Sequence, residues 1–181
     1  MSENDNQDTA PDTDTPLWRF AIALWQQERA RELCLQLQDQ DWSVTRLLCA
    51  SWLASQGVRY SGTEPESLSY WRRNVTESIR SLKKSLSKSD SLLVPLRESL
   101  ARAELEAERV ELYRAWQALR DINSRDMPSD GYEILMSNLR HAAPATKGSI
   151  NGTTEPMIRQ LAEQIGTVSA GYPHRSGSTP A

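Results

Sequence analysis

A chain of 181 residues has room for one domain with its ends. With 38% hydrophobic and 25% charged residues and a formal charge of -3, it has the make-up of an ordinary soluble protein, without the global field that advertises nucleic acid or an anionic membrane. No Gly or Pro falls between Leu17 and Gln56 and only Pro95 falls between Glu66 and Met127, which argues against an all-β fold, because long meanders need turns.

Residues 1 to 15 carry Glu3, Asp5, Asp8, Asp12 and Asp14 with no Lys or Arg, and too few apolar side chains to offset the entropy of ordering. They are expected to be a disordered acidic terminus, ending at Thr15 as an N-cap before Pro16. LWRFAIALW then predicts a helix apolar around nearly its whole circumference, with Leu17, Ala21 and Leu24 in one stripe and Trp18, Ile22 and Trp25 in the next. Ala30, Leu33, Cys34 and Leu37 predict a second, amphipathic helix that runs into the polar cluster Gln38 to Asp41. Ser43 caps a third, VTRLLCASWLASQ, closed by Gly57.

Pro65 opens a long helix to about Lys88 whose apolar side is Trp71, Val75, Ile79, Leu82 and Leu86. Its other side, about 200° away, collects Arg73, Glu77, Arg80, Lys84 and Lys88, flanked by Arg72 and Lys83. After the turn KSDS, Asp90 caps a helix to about Ile122, with stripes Leu96, Leu100, Ala103, Ala107, Val110 and then Leu112, Trp116, Leu119. The pairs Glu98 with Arg102 and Glu111 with Arg114 have helix-supporting spacing. These two helices are expected to form an antiparallel hairpin. Beyond it, Tyr132 to His141 and Pro156 to Ile165 predict short helices, and the residues from Thr167 are expected to be disordered. The fold class expected is all-α, a helical bundle with a long hairpin. Residues 16–122 form the domain, 1–15 a disordered start and 123–181 a weakly structured extension.

Catalytic and metal chemistry find little purchase. Cys34 and Cys49 lie 15 residues apart on apolar faces, and the two histidines, His141 and His174, fall near the carboxyl end, so no zinc set is spaced for binding. No G-x-S-x-G elbow, P-loop or dinucleotide fingerprint occurs, and no cofactor or small-molecule substrate is indicated. Five tryptophans sit at helical spacing with other apolar residues and read as core. Trp42, directly after QDQD, is expected to be partly exposed, which makes Gln38, Asp39 and Trp42 a candidate polar loop. The other candidate contacts are Arg72, Arg73, Arg80, Lys83, Lys84 and Lys88, a line of cations able to track phosphates or an acidic partner. The plainer reading of that line is a solvated face, or one docked internally on the acidic terminus or on the glutamate-rich helix that follows.

Trp18, Phe20 and Ala21, then Cys34, Leu35, Leu37, Gln38 and Asp39, then Leu47, Leu48, Trp52, Leu53 and Gly57, and finally Trp71 and Arg72 resemble, in order, a family of short proteobacterial proteins of unknown function. The resemblance covers about residues 16 to 122. It departs where the family has a glycine after Gln-Asp, here Asp41 and Trp42, and an Asn in the next turn, here Thr45, so the loop geometry is expected to differ. What it implies is a bacterial, cytoplasmic, all-helical protein without an established enzyme activity, some of whose relatives resemble regulators of gene expression.

The function expected is therefore that of a non-enzymatic interaction or regulatory module in the cytoplasm. It would contact a protein partner, or another copy of itself, through the basic face of the helix at 66–88. The alternative is a largely sequence-indifferent nucleic-acid binder using the same face. Membrane association is not expected: the longest apolar run, FAIALW, is six residues, and the start lacks the features of a secretory signal.

Overall fold

The structure is a computed structural model that describes residues 12–122 and 131–169, with side chains as far as residue 166. The expectations of disorder for residues 1–11 and from 170 onward lie outside the described residues. The fold is all-α, and no strand occurs among the described residues. The helices are α1 (Pro16–Trp25), α2 (Glu28–Gln38), α3 (Val44–Ser55), α4 (Glu66–Trp71), α5 (Glu77–Ser85), α6 (Val94–Leu119), α7 (Gly131–His141) and α8 (Thr154–Ser169). A π turn at Arg72–Thr76 links α4 to α5 without a break, and a 3-10 turn at Ser91–Leu93 leads into α6.

Local chemistry sets the boundaries. Thr15 Oγ1 accepts the Trp18 N–H at 3.1 Å, and Ser43 Oγ accepts that of Arg46 at 3.3 Å, each satisfying an amide left orphaned at a helix start. Gly57 stops α3 in the left-handed conformation, at φ 71°. Gly62, at φ 77°, has a second constraint: a Cβ there would lie 2.7 Å from the carbonyl oxygen of His141. The connection after α3 is thereby laid directly on the end of α7.

Leu17, Phe20 and Leu24 of α1, Leu33 and Leu37 of α2, and Leu47 and Leu53 of α3 have almost no exposed surface. Leu139 of α7 and Ile158, Leu161 and Ile165 of α8 belong to the same core. Helix α7 packs along α3, and α8 along α2. The core therefore does not stop at residue 122: both short helices expected in the extension are present, but as structural walls. Asn138 of α7, fully buried, fixes the seam. Its amide donates to the carbonyls of Ala50 (3.1 Å) and Val58 (2.8 Å), and its oxygen accepts from the Tyr60 N–H at 2.7 Å. In a sequence, one Asn between Ser137 and Leu139 announces none of this.

The hairpin of α5 and α6 forms as expected, but its inner seam is not the apolar one. Arg72, Thr76, Arg80 and Lys83 turn toward α6 and meet Glu104, Glu108 and Glu111, which recur there at steps of 4 and 3. In a pure α-helix the eight residues from Arg72 to Arg80 would drift by about 80°. The extra residue in a π turn removes roughly one 100° step, which keeps Arg72, Thr76 and Arg80 in line. Leu82, Leu96 and Leu105 are consequently about half exposed. At the tip, Arg97 Nη1 donates to the carbonyls of Lys83 (2.7 Å) and Leu86 (2.5 Å), satisfying the end of α5.

Candidate functional site

Four charged residues form one buried network under the hairpin base. Glu111 of α6 has no exposed surface and accepts from Arg72 Nε at 2.6 Å, from Thr76 Oγ1 at 2.9 Å and from Thr45 Oγ1. The other end of the Arg72 guanidinium is held bidentately by Glu64, at 2.6 and 2.9 Å. Glu64 also receives Arg46 Nη1 at 2.9 Å. The rest of Arg46 is spent on backbone: Nη2 reaches the carbonyls of Gly62 (3.2 Å) and His141 (2.9 Å), and Nε that of Ala142 (3.2 Å). The network thus ties α3, the loop before α4, the π turn, α6 and the end of α7. Thr45, where the family resemblance has an Asn, supplies one of its hydrogen bonds.

Burial opposes the charge on Glu64, but the hydrogen bonds and charge of Arg72, with the charge of Arg46, outweigh it and hold the carboxyl below its ordinary value. Glu104 behaves likewise: burial is overcome by the hydrogen bonds of Lys83 and Arg80. Burial raises Glu108, whose one ion pair, to Arg80, does not compensate. A carboxyl depressed in the fold stabilises it above the unfolded value and loses that contribution as pH falls through the folded one. The urea midpoint is therefore expected to drop as the pH is lowered past 4.5, the ordinary carboxyl value, as Glu64 and Glu104 protonate. The raised Glu108 acts in the opposite sense and softens the onset of that loss. A midpoint constant down to pH 3 would contradict this.

The candidate cations divide. Arg72 is buried and Arg80 and Lys83 are half-buried in ion pairs, so these three are withdrawn from the expected solvent face. The cause is the glutamate stripe of α6, which the pattern of apolar residues alone does not place. Arg73, Lys84 and Lys88 remain exposed, and Lys84 Nζ comes within 3.9 Å of Asp39, the residue that follows α2. The polar loop is not assembled either. Trp42 is 1% exposed, because Asp41 takes a left-handed conformation (φ 64°) that turns the chain and drives the indole into the core. Asp41 thus has the left-handed conformation that a glycine favours. Asp39 lies on the surface and lines neither cavity described here. Cys34 and Cys49 are buried and unbridged; burial pushes the Cys34 thiol up to about 12, and the Cys49 thiol also upward, so both stay protonated and unreactive. Glu111 and Arg114 do not pair: the carboxylate goes to Arg72, and the guanidinium stacks over Trp71 at 4.1 Å. Arg102 likewise hydrogen-bonds Ser99 rather than Glu98.

Two cavities flank the hairpin. The smaller, about 480 Å³, lies between Ser43 and Arg46 at the start of α3, the π turn, and Ala142 to Ala145; two of its three cations, Arg46 and Arg72, are already neutralised by Glu64 and Glu111, and Arg73 is the third. The larger is an apolar groove of about 610 Å³ between α1, α2, α3 and the hairpin. Its floor and walls are Trp18, Ile22, Trp25, Leu35, Leu48 and Leu105. Trp18 and Trp25 are half-buried, and Ile22 and Leu35 are 41% and 44% exposed. The two indoles cover the core from outside, so α1 is buried on several sides yet keeps an accessible stripe. Periodicity places all three in one stripe, but it does not distinguish a stripe under a neighbouring helix from one beside a groove. Arg31 stands at the rim, without an ion-pair partner among the described residues.

Among the described residues no three His, Cys, Asp or Glu side chains are grouped to hold a metal ion, and no helix is long and apolar enough to cross a membrane. The model of a family described as Protein of unknown function (DUF2390) matches residues 16–114, more than half of the chain. The chain belongs to the DUF2390 family. The DUF2390 match takes in α1 to α5 and the first four-fifths of α6, so it includes the four charged residues of the buried network and every groove wall, while α7, whose end anchors Arg46, and α8 lie beyond it. No curated protein and no solved structure matches the chain.

Proposed function

We propose that this protein is a non-enzymatic interaction module that receives an acidic amphipathic helix of a protein partner in the groove between α1 and the hairpin. The observation that carries the reading is the groove itself: two half-buried tryptophans with Ile22, Leu35 and Leu105 left open beside them. Rigid aromatic side chains at the centre of a concave apolar surface dominate binding energy in protein interfaces, and a helix lays its apolar face into such grooves. The partner's acidic flank follows from charge. Arg31 at the rim lacks an ion pair among the described residues, and Lys84, next in sequence to the groove-lining Lys83, meets only an exposed Asp39. The basic face thus keeps a part in the contact, as steering and rim, while apolar burial supplies the affinity.

Site-specific photocrosslinking in cells, with the reactive group at Leu105, tests the reading. Adducts are expected to map to a helix carrying apolar residues at three- and four-residue steps with Asp or Glu beside them. Ile22→Glu is expected to abolish them. Adducts on other chemistry, or none, would overturn it. A duplex-DNA titration tests the nucleic-acid alternative. Of the six candidate cations Arg73, Lys84 and Lys88 are the exposed three, so through them affinity would fall on the order of 40-fold between 50 and 200 mM salt, against roughly 1,800-fold for six contacts.

A further inference from the structure

The hairpin carries a second unpartnered surface, on the side away from the body. Ala101, Leu105 and Leu112 of α6 line the groove. Val110, Leu96 and Ala103 each lie nine residues from one of these, about 180° around the helix. On α5, Lys84 points to Asp39 at the end of α2. Leu82 and Leu86, two residues either side of it, lie about 200° away. The two apolar stripes in the sequence therefore run side by side on one outward face of the hairpin. Leu82 is 53% and Leu96 49% exposed, Ala103 is exposed, and Leu86 and Leu100 are half-buried. None of these residues lines either cavity.

We infer that this face is covered by a second copy of the same chain, the two hairpins packing back to back as an antiparallel four-helix bundle. The border of the face is self-complementary. On α6 it carries Arg102 and Glu106, both exposed, Arg102 bonded only to Ser99. On α5 it carries Asn74, Ser78, Ser81 and Ser85, exposed and uncharged. A two-fold axis near residue 104 sets α6 against α6 in opposite directions. Each Arg102 then lies opposite Glu106 of the other copy, twice by symmetry, as an isologous contact requires. The same axis sets α5 against α5 through serines, so no like charges meet. The cations Lys84 and Arg73, which would repel their own copies, are turned elsewhere: Lys84 toward Asp39 at the end of α2 and Arg73 into the smaller cavity. A foreign partner has no need of this internal match between Arg102 and Glu106. The groove opens on the opposite side, so dimerisation leaves it free and stands or falls apart from the proposed function.

Sedimentation velocity of the full chain over a hundredfold concentration range tests the inference. A concentration-dependent dimer is expected. Leu82→Glu and Leu96→Glu are expected to give monomer with unchanged circular dichroism, since both side chains are already half exposed within one chain. Arg102→Glu should raise the dimer dissociation constant about tenfold by opposing two pairs of like charges, and adding Glu106→Arg should restore it. A monomer at every concentration would overturn the inference. So would a dimer indifferent to Leu82→Glu and Leu96→Glu, or one that Arg102→Glu weakens without rescue by Glu106→Arg.

Discussion

A chain cut after Ile122 will not fold cooperatively. Such a cut removes Ile134, Leu135, Met136 and Leu139 of α7 and Ile158, Leu161 and Ile165 of α8, seven large side chains that are each at most 6% exposed. At about 1.5–3 kcal/mol per buried side chain, this is a gross loss of roughly 10–20 kcal/mol. The entropy of ordering those helices offsets part of it. What it does not offset is the uncovered apolar surface left on α2 and α3, nor the carbonyls of Ala50 and Val58 and the amide of Tyr60 left without Asn138. A total stability of about 5–15 kcal/mol does not survive that. The truncated chain is expected to show a broad thermal transition and collapsed amide dispersion, against a sharp transition for the full chain. A sharp transition in the truncated chain would show that the family-matched region suffices alone. The same cut also removes the carbonyls that hold Arg46, so the charged network would lose one end even if the first helices collapsed.

Replacing Glu111 with Ala is expected to cost about 3–5 kcal/mol, because it leaves the buried Arg72 short of one counter-charge and Thr45 and Thr76 without their acceptor. In a domain of this size that lowers the melting temperature by roughly 6–20 °C. Glu111→Gln keeps the shape and an acceptor oxygen, and is expected to cost less than half as much. The informative variant is the double change Arg72→Met with Glu111→Leu. Buried ion pairs often exchange for apolar side chains at little cost, since desolvation consumes most of the Coulomb gain. The double variant is therefore expected to be more stable than Glu111→Ala alone, with a coupling energy well above 1 kcal/mol in the cycle. Additive losses across the cycle would mean that the two residues are held independently.

The helical architecture was legible because caps and stops were written in single residues: Thr15 with Pro16, Ser43 and Gly57 all act where their chemistry places them. The stripes of α1, α2 and α3 were legible for the same reason, since one period governs each. What periodicity missed was polar. A π turn changes the period inside an otherwise continuous helix, and no residue type marks it. Arg72 and Glu111 look like surface residues because charged side chains usually are; only the partner 39 positions away makes burial tolerable. Trp42 was misplaced by its acidic neighbours, because the left-handed turn at Asp41 separates the surface from the core within one residue. The candidate cations read as one undivided line, since the glutamates that claim half of them belong to another helix. The groove was half legible: Trp18, Ile22 and Trp25 fall in one stripe, but whether that stripe meets a wall or an opening is a tertiary fact.

The π turn at Arg72–Thr76 has a consequence for how this hairpin can vary over time. Closing that turn into regular α-helix with every residue retained would turn everything downstream by about 100°, carrying the leucines of α5 toward the seam and its cations toward water, whereas deleting one residue as it closes would leave the downstream register as it is. The same composition would then describe a hairpin sealed by grease and coated with positive charge, the molecule that simple helical spacing draws. The open and the closed form of these five residues are thus not equivalent. They act as a selector between two surface chemistries, one suited to apolar contact and one to polyanions, with hardly a side chain substituted.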